Sequence, residues 1–372
     1  MTKRTFIGLA GGSVLAAAAT GYFFSDKHNA TRKNIQRENA PDKALQPDES
    51  YILYLASLAP SGHNTQPWFV QYLEPYHWII GIDKSRWLPG VDPAHRETIL
   101  SIGAFIQNLE YASTNLGYHC RLTILAGTNL DENIVEIQLT KALGKTTQVI
   151  DQIKLRRTVR SNFLSDVLKT EDSDYLLQDD IDFIHYIPST SKEHQWLNEQ
   201  TIEANRIQAY RNAAQIELSN WIRFTSKDAA KHLDGLTLAS MEIEGIPGWY
   251  VRNFFGKEDV MKKSFREQSI AKVVKQVAES AGWLIITSKD NSVPALLEAG
   301  MRLERLWLKI RDKNIAIHPM TQILEEAETN QLLTHALGIQ EPVQFLLRTG
   351  YLKNYPDPVS LRRPVAQFIR TP

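Results

Sequence analysis

APSGHNTQPW, residues 59–68, packs proline, serine, glycine, histidine, asparagine, threonine and glutamine into one stretch that ends on tryptophan. These residue types suit neither an amphipathic helix nor an alternating strand, so the stretch reads as a turn. Small residues let the backbone come close to a ligand, and serine and asparagine supply donors to it. Working outward, SYILYLASLA (50–59) reads as a short helix with Asp48 or Ser50 as its cap. WFVQYLE (68–74) and YHWIIGID (76–83) are apolar, aromatic-rich runs parted by Pro75, the pattern of a hairpin. DPAHRETILSIGAFIQNLEYASTNLG (92–117) then reads as a long helix closed by Gly117. Alternating helical and strand patterns from residue 50 onward predict an α+β or α/β core.

Part of this pattern occurs twice. Leu100, Gly103, Ile106 and Leu109 of LSIGAFIQNL have counterparts in Leu297, Gly300, Leu303 and Leu306 of LEAGMRLERL, at an offset of 197 (297 minus 100, 300 minus 103). A strand-like run precedes each, YHWIIGID in one case and GWLIITS in the other. We read this as a duplication with halves at residues 50–150 and 151–372. A glycine inside each helix costs about 1 kcal/mol against alanine, so each is expected to allow a close helix or ligand approach. The second half is longer by a mainly helical insertion, residues 190–275, carrying NWIRF and GIPGWYVRNFFG. That insertion is either an ordinary packed subdomain or a lid over a planar ligand.

Composition narrows the function. The 372 residues balance 42 basic against 42 acidic side chains, which argues against nucleic acid as the partner. A single cysteine excludes an internal disulfide and a thiolate metal cluster, and the ten histidines form no HExxH, so no metal site is indicated. No GxGxxG or GxxxxGK[ST] phosphate loop is present. The N-terminus has a basic head, Lys3 and Arg4, and then an apolar run from Phe6 to Phe24. Residues 1–24 therefore read as a secretory signal or, at about 28 Å if helical, an uncleaved anchor. TKRTFIG resembles a twin-arginine export signal with Lys3 in place of the first arginine, which hints at a protein exported already folded around a cofactor. Residues 25–49 are polar and read as a tether. The expected location is outside the inner membrane, periplasmic or attached through residues 6–24, with the export machinery or the membrane as a partner.

Three segments carry a resemblance. APSGHNTQPW resembles the N-terminal signature of the nitroreductase family of flavoproteins. RRTVRSNF (156–163) is similar to that family's RRSxRxF motif with one extra residue before Phe163. FLLRTGYLKNYPDPVSLRRP (345–364) resembles its last strand and basic phosphate clamp. With WLIITSKD and EAGMRLERLWL, the chain most resembles the single-chain, Acg-type subgroup. The resemblance implies an α+β, nitroreductase-like fold of two fused pseudo-dimeric halves, each a mixed sheet packed with helices, with a helical lid inserted. It implies FMN as cofactor in a monomer that acts as a pseudo-dimer; since PSGHN and RRTVR occur once each, one FMN per chain is expected.

By the same resemblance, Pro60, Ser61, Gly62 and Asn64 meet the flavin from the first half. Arg156, Arg157, Thr158 and Arg160 meet it from the second. Arginine's fork suits phosphate oxygens, and Arg362 and Arg363 add the same charge type. Arg160 takes the position of the cation near flavin N1 and O2, and so a catalytic role. IHPMTQIL places Pro319, Met320, Thr321 and Gln322 where the family sets backbone N–H groups against flavin N5. Pro319 cannot donate, so Met320, Thr321 or Gln322 must, with Thr321 as the catalytic candidate. His63 is either a proton donor or a simple hydrogen-bonding residue, and Gln66 and Trp68 lock the turn onto the next strand. The implied activity is an FMN-dependent oxidoreductase acting on a small molecule, with NAD(P)H as a candidate donor. The alternatives are a flavin-sequestering protein with a lid-blocked site, or a fold that has lost its cofactor.

Overall fold

The computed structural model describes residues 26, 28–35, 45–142 and 149–371. The expected signal or anchor, residues 1–24, lies outside the described residues. Among the described residues, no helix is long and apolar enough to cross a membrane. The described start of the expected tether is docked: Ala30 is buried, Arg32 bonds to Val359, Ser360 and Lys154, and Asp26 bonds to Asn253 and Ser226.

Helix α1 (Pro47–Ala56) starts one residue before the expected caps, because Pro47 fills the first position, where a missing N–H costs nothing. Gln46 stands at the cap, its N–H held at 2.9 Å by Glu49. Asp48 instead accepts from the phenols of Tyr76 and Tyr118. Strands β1 (Trp68–Glu74) and β2 (His77–Ile82) make the expected hairpin, with Tyr76 at φ 64 in its turn. Helix α2 (Arg96–Asn115) begins four residues later than its sequence pattern. His95 is left-handed at φ 53, and Asp92 turns back to accept the Thr98 N–H at 3.1 Å. Gly117 then allows the positive φ that ends the helix. Strands β3 (Tyr118–Ile124) and β4 (Asn133–Lys141) extend the hairpin into a run ordered β1-β2-β4-β3 with antiparallel neighbours.

Helices α3 (Val149–Leu155) and α4 (Thr170–Leu177) lead to β5 (Ile184–Pro188). An insertion follows, made of α5 (Lys192–Tyr210), α6 (Asn212–Trp221), β6 (Ile222–Arg223), α7 (Ser226–His232), β7 (Leu236–Thr237), α8 (Gly245–Phe254) and α9 (Lys263–Ala278). Strand β8 (Gly282–Thr287), α10 (Val293–Ile310), β9 (Ile315–Pro319) and β10 (Val343–Tyr351) then build a second sheet, ordered β5-β8-β10-β9 and again antiparallel throughout. The second sheet matches that run strand for strand. β3 begins at 118 and β9 at 315, a difference of 197, the offset of the helical repeat. The insertion thus occupies the place of the β1–β2 turn.

The repeat helices α2 and α10 pack on each other at their glycines. A methyl group built on Gly103 would stand 2.1 Å from the Leu297 carbonyl oxygen, and one on Gly300 would stand 2.0 Å from that of Leu100. The expected close approach is therefore helix to helix. Apolar faces of α1, α2, α10 and both sheets merge into one core, in which Trp68, Phe105, Leu284 and Trp307 are buried together. The chain also crosses between the sheets: β11 (Ile369–Arg370) returns to pair in parallel with β1, as the fifth strand of the first sheet.

Candidate functional site

A cavity of about 610 Å³ opens at the seam of the two lobes. The 59–68 turn and α2 form one wall; Thr158, Arg160, α10 and the segment after β9 form the other; the insertion roofs both.

The turn is strained, since His63, Asn64 and Gln66 all have positive φ (49, 54 and 53). Its own hydrogen bonds hold it. Ser61 Oγ accepts the Gln66 N–H at 2.9 Å, and Gln66 Nε2 donates to Leu233 O at 3.0 Å. Asn64 Nδ2 donates to Gly235 O at 3.1 Å and Leu361 O at 3.2 Å. Pro60, Ser61, Gly62 and His63 remain on the cavity wall. Asn64, expected to meet a ligand, is turned away from it.

The two C-terminal arginines explain this. Arg362 donates to Asn64 Oδ1 at 2.8 Å and to Leu58 O and Ala59 O at 3.0 Å. Arg363 donates to Gln66 O at 2.7 Å and Trp68 O at 2.8 Å. Both are buried and neither lines the cavity, so the expected phosphate clamp is here a clamp on the turn. Arg156 and Arg157 are likewise engaged. Arg156 donates to Leu58 O at 2.6 Å and stands 3.3 Å from Glu304, over the ring of Trp307. Arg157 bonds Asp357 O at 2.6 Å and pairs with Glu242. Of the 156–160 group, only Thr158 and Arg160 reach the cavity.

One end of the cavity is cationic. Arg160 donates from Nη1 to Ser240 O at 2.6 Å, and its backbone N–H goes to Glu242 at 3.0 Å. Lys272, which the sequence reading missed, joins it on the wall, and Arg348 lies behind, donating to Arg160 O at 2.9 Å. Burial lowers the Arg160 guanidinium to about 10 and lowers Lys272 as well, with Arg160 adding to the effect on the lysine. Burial and then Arg160 hold His63 down to about 4, so it is neutral at pH 7 and has no imidazolium proton to give. His318 is held well below its ordinary range by burial and by Arg348, Arg160 and Lys272.

Another part of the wall is acidic. Glu97 and Glu325 both line the wall; burial raises each, with Asp92 adding to the effect on Glu97 and Glu97 to that on Glu325. Glu325, pushed up to about 8, accepts from Thr321 Oγ1 at 2.9 Å and Gln208 Nε2 at 2.5 Å. At neutral pH this pair therefore retains a proton. No motif flagged either residue; the one local signal was the i, i+4 spacing of Thr321 and Glu325.

Pro319, Met320, Thr321 and Gln322 all line the cavity. The Met320 N–H is spent on Leu346 O at 2.9 Å, which leaves Thr321 and Gln322 as the donors in that segment. Three buried polar atoms on the wall have no protein partner among the described residues: Asn205 Oδ1, Trp307 Nε1 and Gln322 Oε1. The cavity volume lies in the usual range for small-molecule sites.

Paired lobes of one topology, with residues 60–63, Thr158 and Arg160 lining one cavity at their seam, define an α+β protein with a cavity of small-molecule size. The chain is similar to Acg-type nitroreductases. "Probable NAD(P)H nitroreductase PigM" of Serratia sp. is 26% identical over 315 residues, covering 80% of this chain and 86% of that protein. A Mycobacterium tuberculosis protein provisionally named NAD(P)H nitroreductase acg is 24% identical over 323 residues, covering 84% and 92%. No family model matches the chain. Among solved structures, the FMN-dependent nitroreductase NfnB from Mycobacterium smegmatis, in complex with NADPH, is 15% identical. It aligns with 60% of this chain and 97% of its own, at a TM-score of 0.36.

Proposed function

We propose that this protein is an FMN-dependent oxidoreductase that reduces a small-molecule acceptor, with NAD(P)H as donor. The observation that carries the reading is that the two motif segments lie 98 residues apart in sequence (158 minus 60) yet face one cavity. The named relatives, both designated NAD(P)H nitroreductases, support the donor.

The residues present fit the cofactor. An isoalloxazine edge alternates donors and acceptors, and the wall offers polar side chains of both kinds in Asn205, Gln268, Ser269 and Gln322. Arg160 and Lys272, rather than Arg362 and Arg363, are the cations facing the cavity. Bound FMN would supply a hydride acceptor and donor at ring N5. Around it, Arg160 would hold developing negative charge at one ring edge, and the Thr321–Gln322 segment would offer N–H donors at another. The Glu97–Glu325 pair would hold a proton at a carboxyl oxygen beside the acceptor. The insertion would exclude water. One FMN per chain, a monomer, and export or anchoring through residues 6–24 belong to the same reading.

The test is the absorbance spectrum of purified protein, with released flavin quantified per chain. We expect a yellow protein that NAD(P)H bleaches under anaerobic conditions. Arg160→Ala should weaken FMN binding about 10- to 100-fold, the value of a hydrogen bond to a charged group. Unchanged affinity and potential would remove Arg160 from the site. The roof of the cavity favours a second reading, flavin sequestration. In that case the protein is yellow, resists NAD(P)H and is reduced by dithionite.

A further inference from the structure

Helix α8 has two apolar sides. Pro247 and Val251 line the cavity. Ile246, Tyr250 and Phe254, spaced i, i+4 and i+8, form an outward stripe, with 82%, 52% and 61% of their surfaces exposed. The Tyr250 and Phe254 rings lie 5.1 Å apart between centres, tilted by 36°. A continuous exposed stripe of aliphatic and aromatic side chains marks an interaction face, unlike scattered apolar residues.

The path of the chain says what covers it. Asp26 is pinned to this helix: its N–H donates to Asn253 Oδ1 at 2.9 Å, and its carbonyl accepts from Asn253 Nδ2 at 3.2 Å. The apolar run Phe6–Phe24 ends two residues before Asp26, a reach of at most about 7 Å. We propose that α8 is an interfacial helix whose Ile246–Tyr250–Phe254 face rests in the surface of a lipid bilayer, beside the N-terminal apolar segment. A helix lying in the interface needs only its own apolar face, sunk about 5–10 Å into the headgroup region. A stable contact with a second copy needs about 800 Å² and 20–30 residues a side, more than three side chains on a ten-residue helix supply. Since the adjoining face, about 80° round the helix, lines the cavity, the bilayer lies one helix away from it.

The test uses the full chain with Cys120→Ser and Ile246→Cys, labelled with an environment-sensitive fluorophore and mixed with phosphatidylethanolamine–phosphatidylglycerol vesicles. A second protein carries the label at Ile181→Cys, another exposed apolar position, at 67%. Flotation reports attachment, and emission reports the helix. We expect flotation, with an emission blue shift and quenching by doxyl lipids at position 246 and neither at 181. Flotation without a shift at 246, or with equal shifts at both positions, overturns the α8 proposal while the N-terminal attachment stands. Absence of flotation overturns both. A blue shift without vesicles assigns the face elsewhere: to a second copy if it depends on concentration, to residues 6–24 if it does not.

Discussion

Asn64 and Arg160 both sit in motif segments, yet the structure gives them opposite duties, and one experiment separates them. Asn64 is buried, left-handed and bonded to Arg362, Gly235 and Leu361. Asn64→Ala should therefore cost about 2–4 kcal/mol in denaturant unfolding while the folded fraction keeps its FMN affinity. The reverse pattern, full stability with lost flavin, would return Asn64 to the ligand. Glu325 offers a second residue-level test. Between its ordinary 4.5 and about 8, the folded chain holds a proton that the unfolded chain has released. Stability is therefore greater below this window and falls as pH rises through it. The thermal midpoint should decline from about pH 5 to pH 8, and Glu325→Gln should flatten that decline; parallel curves for the two proteins would refute the shared proton. Residue types in the motifs were legible in the sequence, but their direction was not. Arg362 and Arg363 have the chemistry of a phosphate clamp, and the strained turn claims them, because a buried bent backbone exposes carbonyls that must be satisfied. Lys272, Glu97 and Glu325 could not be read, since their role arises from burial in a cavity built by distant segments.

Among the elements, the repeat was the most legible feature, because matching glycines in two amphipathic helices have a physical cause. At the α2–α10 crossing each glycine faces a backbone carbonyl of the other helix. Gly103→Ala would gain about 1 kcal/mol of helix propensity. It would also place a methyl group 2.1 Å from the Leu297 oxygen, an overlap no rotamer can relieve, with a cost of about 1–3 kcal/mol or more. The clash should win, lowering the thermal midpoint by several degrees, with Gly300→Ala acting alike. The double variant should fall short of the sum, since one widened crossing serves both. A midpoint that rises in Gly103→Ala would show the helices free to part. Element ends were less legible. α2 starts late because Asp92 and His95 form their own turn, a local choice that the apolar periodicity does not encode.

For the whole molecule, two lobes of equal topology would make two equivalent seams, but the motif segments occur once each. We expect one FMN per chain by acid release and absorbance; a ratio near two would mean that the second seam also binds. The sequence conveyed the pairing of lobes through its 197-residue offset. It concealed their exchange: β11, from residues 369–370, completes the edge of a sheet begun at residue 68. This contact joins segments separated by nearly three hundred positions. During synthesis the first lobe must therefore wait, its outer strand uncovered, until residues 369–370 have left the ribosomal tunnel. A nascent protein stalled short of that point should be sensitive to protease at β1 and dependent on chaperones, and release should cure both.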